Sequence, residues 1–133
     1  MPQASTTFDV TEFADELAKA PENRVVGTTL LFENERVRVW ELALVPGQRA
    51  PFHIHSIDYF WVAADPGPVV QRVSDGTITE VVHDRNQVKY FTFRNGETLV
   101  HDLENIGDAP IRYITVELLD DDDISTRPHV HDA

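Results

Sequence analysis

The sequence predicts an all-β fold, an antiparallel sandwich or barrel preceded by one short helix. Three observations predict it. From residue 25 onward the apolar pattern keeps the period of a strand and does not return to that of a helix; roughly nine such segments recur at 8 to 12-residue spacing; and clusters of Gly, Pro, Asn and Asp separate them.

The helix is expected over residues 8–20. Asp9 and Glu12 have N-cap to N3 spacing, Phe8 and Phe13 have the spacing of a hydrophobic staple, and Phe13, Leu17 and Ala20 fall on one face. Pro21 ends it, and packing over an open end of the domain is the role such a helix would take. Strands are expected at 25–32, 36–42, 49–55, 59–63, 69–73, 77–83, 89–93, 98–103 and 111–118. Turn chemistry at Pro46-Gly47, Asp65-Pro66-Gly67-Pro68, Asp75-Gly76, Asn95-Gly96 and across 105–110 supplies the reversals. The chain thus divides into an arm and helix at 1–21, a β domain at 22–119 and an acidic tail at 120–133. In that tail Asp120 to Asp123 read as a solvated exit from the last strand, and His129-Val130-His131 repeats a His-x-His pattern beside a proline.

At 133 residues the chain is long enough to bury a core without covalent staples. It has no cysteine, which excludes disulfides, a thiolate zinc site and a cysteine nucleophile, so any metal must be held by His and carboxylate. A net charge of −12, from 11 Lys+Arg against 23 Asp+Glu, repels phosphate backbones and anionic lipid, so neither nucleic acid nor a membrane surface is an expected partner. The first residues carry no basic segment or apolar run, and the longest apolar stretch, 59–64, is too short to span a bilayer; a cytoplasmic location is the expectation.

The chemistry gathers at Gly47 to His55. His53 and His55 are one residue apart on a predicted strand and therefore face the same way, a chelating pair. His101 on a later strand is the third candidate. Three neutral imidazoles would occupy one side of a divalent ion and leave the other open. Strict alternation also places Arg49 and Pro51 on the histidine face, where Arg49 either holds a substrate carboxylate or forms a structural ion pair. His83, at the end of a predicted strand, reads as a surface residue. Imidazoles with ordinary acidity would release a metal below about pH 6.

These residues resemble the cupin superfamily, small jelly-roll or double-stranded β-helix barrels, over roughly residues 36–118. Gly47, His53 and His55 match its first motif, and His101 with Asn105 and the Gly107 to Pro110 turn match its second. The motif's glutamate ligand falls at Tyr59 or Phe60, with Asp58 one residue early, and Gly96 and Thr98 stand where Pro and Gly are usual. The resemblance therefore implies a site of three histidines without a carboxylate, whose undiminished +2 charge favours an anionic or enolate-forming substrate. It further implies Tyr59 in the vacated ligand position as a hydrogen-bond donor, Trp61 as a pocket wall and substrate contact, and Fe(II) as the cofactor, with Zn(II), Ni(II) or Mn(II) as alternatives. Three-histidine cupins resemble dioxygenases, and the chain is also similar to small cupins of β-alanine degradation. A zinc or nickel lyase, isomerase or hydrolase, and a non-enzymatic ligand-binding cupin, are the other readings. A homodimer is expected, since exposed β edges and an apolar outer face call for cover by a second copy.

Overall fold

Ten strands form two five-stranded antiparallel sheets in this computed structural model, which describes residues 4–120. In chain order they are β1 (Ala4–Thr7), β2 (Thr29–Glu33), β3 (Val37–Leu44), β4 (Arg49–His55), β5 (Tyr59–Asp65), β6 (Pro68–Arg72), β7 (Thr77–Val82), β8 (Val88–Phe91), β9 (Leu99–Asn105) and β10 (Ile111–Leu118). One sheet has the order β1-β7-β6-β9-β4, the other β2-β3-β10-β5-β8. The acidic run beyond Asp120, His129 and His131 lie outside the described residues.

Turn chemistry explains the reversals. Asn95 and Gly96 both take positive φ, 55° and 80°, the backbone that a tight reversal demands and that Asn and Gly tolerate best. The core sits between the sheets, where Leu42, Leu44, Ala50, Ala63, Val69, Ile111 and Tyr113 pack together.

Four features depart from the sequence reading. The sheets do not close into a barrel: among the described residues no strand pairs across from one sheet to the other, and the edge of β4 is met by Asn23 and by Glu16, whose carboxylate accepts from Phe52 N at 2.7 Å. There Ile54 N donates to Asn23 O at 2.9 Å and Asn23 Nδ2 donates to Phe52 O at 3.0 Å. The arm is not merely an arm, because Ala4–Thr7 pairs with β7 as an added edge strand whose polar sequence carries no apolar alternation.

The helix is shorter than its pattern, with α1 at Ala14–Lys19 flanked by 3-10 turns at Val10–Phe13 and Ala20–Glu22. Its entry is as expected: Asp9 accepts from Thr11 N at 3.0 Å, and the Phe8 and Phe13 rings meet edge-on at 6.0 Å. Both rings close on Phe52, at 6.4 and 5.5 Å, so the helix covers the outer side of β4 rather than an open end of the domain.

The fourth departure is a β-bulge in β4. Ala50 pairs with Leu103 and His53 with His101, three steps on β4 against two on β9. One extra residue breaks the alternation. Ala50, His53 and His55 consequently face the interior together, while Arg49 and Phe52 face the helix.

Candidate metal centre

The bulge and the β4–β9 pairing bring three imidazoles to one place. The ring centroids of His53, His55 and His101 lie 4.9, 4.8 and 5.0 Å apart, and their ligating nitrogens fall within 4.8 Å of one another. Two groups, neither expected from the sequence to do so, orient them. Pro51 O accepts from His53 Nδ1 at 2.8 Å, and Gln71 Oε1 accepts from His101 Nδ1 at 2.6 Å. Each contact fixes the proton on Nδ1 and leaves the lone pair on Nε2. A polar Gln71 alternating with Val69 on a buried strand was the available signal, since an inward amide needs a partner.

A divalent ion fits these donors. His55 Nε2 and His101 Nε2 stand 3.1 Å apart, and two nitrogens bearing lone pairs do not approach so closely unless a proton or a cation lies between them. Imidazoles sharing an ion at about 2.0–2.1 Å hold their nitrogens about 3.0–3.4 Å apart. His55 Nδ1 is buried and has no hydrogen-bond partner. Burial makes all three histidines weaker bases: it pushes His53 down to about 4 and, with their imidazole neighbours, His55 and His101 well below the ordinary value. They are neutral at pH 7, as ligation requires.

The nitrogens line a cavity of about 80 Å³. Leu42, Trp61, Val81, Phe91 and Leu103 form much of its wall. Tyr59 lines the cavity, stacked on His55 at 4.0 Å and on Phe91 at 4.6 Å. Its hydroxyl is buried without a partner, and burial first, then the charge of Glu117, raises its pKa far above the phenolic value. Trp61 is also there, edge-on to Tyr113 at 5.3 Å.

Other expectations need correction. Arg49 does not line the cavity; the bulge turns it to the outer side, where it pairs with Glu16 and donates to Asp102 Oδ2 at 2.9 Å. Asp58, left open by the motif as a stand-in for the glutamate, is engaged elsewhere: its carboxylate accepts from Phe93 N at 2.9 Å. His83 is half-buried rather than on the surface: it lines the cavity, meets Tyr113 Oη at 2.6 Å and lies 4.5 Å from the Trp61 ring.

No protein-family model and no curated protein matches the sequence. Solved structures do. A cupin domain from Bordetella pertussis is 27% identical with a TM-score of 0.60, the match covering 69% of this chain and 91% of that one. The chain has the cupin fold. Two further structures agree on that fold: an RmlC-like cupin family protein with a double-stranded β-helix from Methanocaldococcus jannaschii, at 16% identity, TM-score 0.55 and 73% and 85% coverage; and an uncharacterized conserved protein with a double-stranded β-helix domain from Klebsiella pneumoniae, at 18%, 0.55 and 84% and 87%. Within this cupin scaffold the three histidines form a group able to hold a divalent metal, and no helix among the described residues is long and apolar enough to cross a membrane.

Proposed function

We propose that this cupin is a metal-dependent enzyme, a dioxygenase-type oxidoreductase acting on a small anionic or carbonyl metabolite, with His53, His55 and His101 holding Fe(II). The observation that carries the reading is the convergence of three neutral imidazoles, with no carboxylate among them, on one small cavity. When bound there, Fe(II) would supply a Lewis-acid centre with open positions and redox chemistry toward dioxygen.

The chain's own residues do the rest. Pro51 O and Gln71 hold two rings in the ligating tautomer. The apolar wall limits the water around the histidines, and the small cavity favours a small substrate. Tyr59 presents a protonated hydroxyl with no partner of its own, a donor for a substrate oxygen. Trp61 bounds the substrate as a wall. The partner is a second copy, over the exposed apolar edge at β2.

Anaerobic reconstitution with Fe(II), followed by metal analysis and oxygen-electrode screening with small keto acids and diketones, tests this reading. About one iron per chain is expected for the native protein, with loss of metal in a folded His101→Ala variant and oxygen uptake with one substrate class. Full metal occupancy in His101→Ala refutes the ligand assignment. Turnover without oxygen uptake refutes the dioxygenase and leaves the Lewis-acid chemistry of a zinc or nickel enzyme.

A further inference from the structure

One residue of the cavity wall is neither apolar, hydroxyl, amide nor imidazole. Lys89, on β8, is the only permanently charged side chain among the described residues lining the cavity. No Asp or Glu lines it with Lys89. In a chain of 23 acidic residues that is unusual company. Lys89 forms no ion pair among the described residues, which is equally true of Lys19, Arg24, Arg36 and Arg94; what sets it apart from them is its place in the cavity wall.

Its position is defined all the same. The ammonium stands 5.2 Å from the Phe91 ring centroid, a cation–π contact with a wall of the cavity. The β5–β8 register sets Lys89 opposite Trp61 and Phe91 opposite Tyr59, so one ladder carries the ammonium, the indole, the phenol and the ring between them. Its charge reaches the cavity residue His83, adding to burial in lowering the basicity of that ring. Lys89 is exposed while lining the cavity, so its charge stands on the solvent side of the opening, and a metal on the histidines would add a second positive charge deeper in.

We propose that Lys89 anchors the carboxylate of the small molecule this cavity accepts, which makes the substrate class short-chain monocarboxylates, with the acid group at Lys89 and the opposite end toward His53, His55 and His101. This rests on the enzymatic reading above and narrows it. A single ammonium matches a single negative charge, and a cavity of this scale suits a small molecule. The carboxylate anchor that was one of two readings of Arg49 on β4 thus falls to a lysine of the opposite sheet.

Calorimetric titration with butanoate and with butanamide, which have the same number of heavy atoms, tests the proposal. The native protein is used both as purified and loaded with Zn(II). Butanoate is expected to bind at least about tenfold more tightly than the amide. Lys89→Met, which keeps the length of the side chain, is expected to lose that preference at unchanged zinc stoichiometry, and Lys89→Arg to keep it. Equal binding of the two probes, no binding of butanoate, or a preference that survives in Lys89→Met overturns the proposal. A protein that takes no zinc refutes the metal reading instead, and the preference is then still read on the metal-free form.

Discussion

Gln71 Oε1 lies 2.6 Å from His101 Nδ1, and this one contact decides which nitrogen of His101 is free to ligate. Gln71→Leu keeps the bulk and removes the acceptor, leaving a buried N–H without a partner. Metal affinity is expected to fall by about 10 to 100-fold, measured by competition with a chelator. Native affinity in that variant would reduce Gln71 to a packing residue.

The histidines also set a pH response. Their folded pKa values lie below the ordinary imidazole value near 6.5, so on acidification the unfolded chain takes up protons first. The contribution of these rings to the stability of the metal-free protein is therefore complete above about pH 7 and declines as pH falls through 6.5 toward 4. His53 alone accounts for about 3 kcal/mol across that window. Denaturant unfolding between pH 4.5 and 8 checks the slope. Because protons compete less well at these buried rings, metal is expected to stay bound below the pH of about 6 at which ordinary imidazoles would release it. Metal analysis after dialysis across the same range decides between the two.

Tyr59 separates stability from activity. Its hydroxyl is buried without a partner, so Tyr59→Phe removes an unsatisfied group and is expected to leave stability unchanged or raise it by up to about 1 kcal/mol. Turnover is expected to drop at least about tenfold if the hydroxyl donates to substrate. Thermal unfolding and oxygen uptake on the same preparation give both numbers, and native turnover in Tyr59→Phe would remove the residue from the reaction.

Asp102 fastens the other side of the sheet. It is fully buried, accepts from Arg49 Nη1 and Arg72 Nη1 at 2.9 and 3.0 Å, and takes Arg72 N at 2.7 Å. Asp102→Ala leaves two guanidinium groups facing a cavity and is expected to cost about 3–5 kcal/mol in denaturant unfolding. A loss under about 1 kcal/mol would show that Glu16 and Glu104 hold the arginines by themselves.

At the far edge, β2 exposes Leu30, Leu31 and Phe32 at 38, 50 and 53%. An edge strand with open backbone and apolar side chains pairs readily with its own copy across a two-fold axis. Sedimentation is expected to show a dimer in the native protein and a monomer in a Leu31→Lys, Phe32→Lys double variant. A native monomer ends the proposal.

Most strands were legible because β-branched runs and Asn-Gly or Asp-Gly turns are local signals. Arg49–His55 and Ile111–Leu118 have the bounds that alternation suggested. What was not legible depends on partners distant in the chain. β1 exists because β7 offers an edge. On β3 the arginine goes inward: Arg38 is 1% exposed, held by Glu117 at 2.9 Å, while the flanking valines are only partly covered. The histidines were readable by type and spacing, but Gln71, His83 and Lys89 carry no motif and join the cavity only through pairing between strands.

The bulge in β4 has a consequence for how this strand can change. Without the extra residue, a strand that points His53 and His55 inward would also drive Arg49 into the space now filled by Ala50 and its apolar neighbours. The insertion releases one end of the strand from the other. Residues that grip the helix and residues that hold the imidazoles can be substituted separately, so the site can be retuned without loosening the helix that covers it.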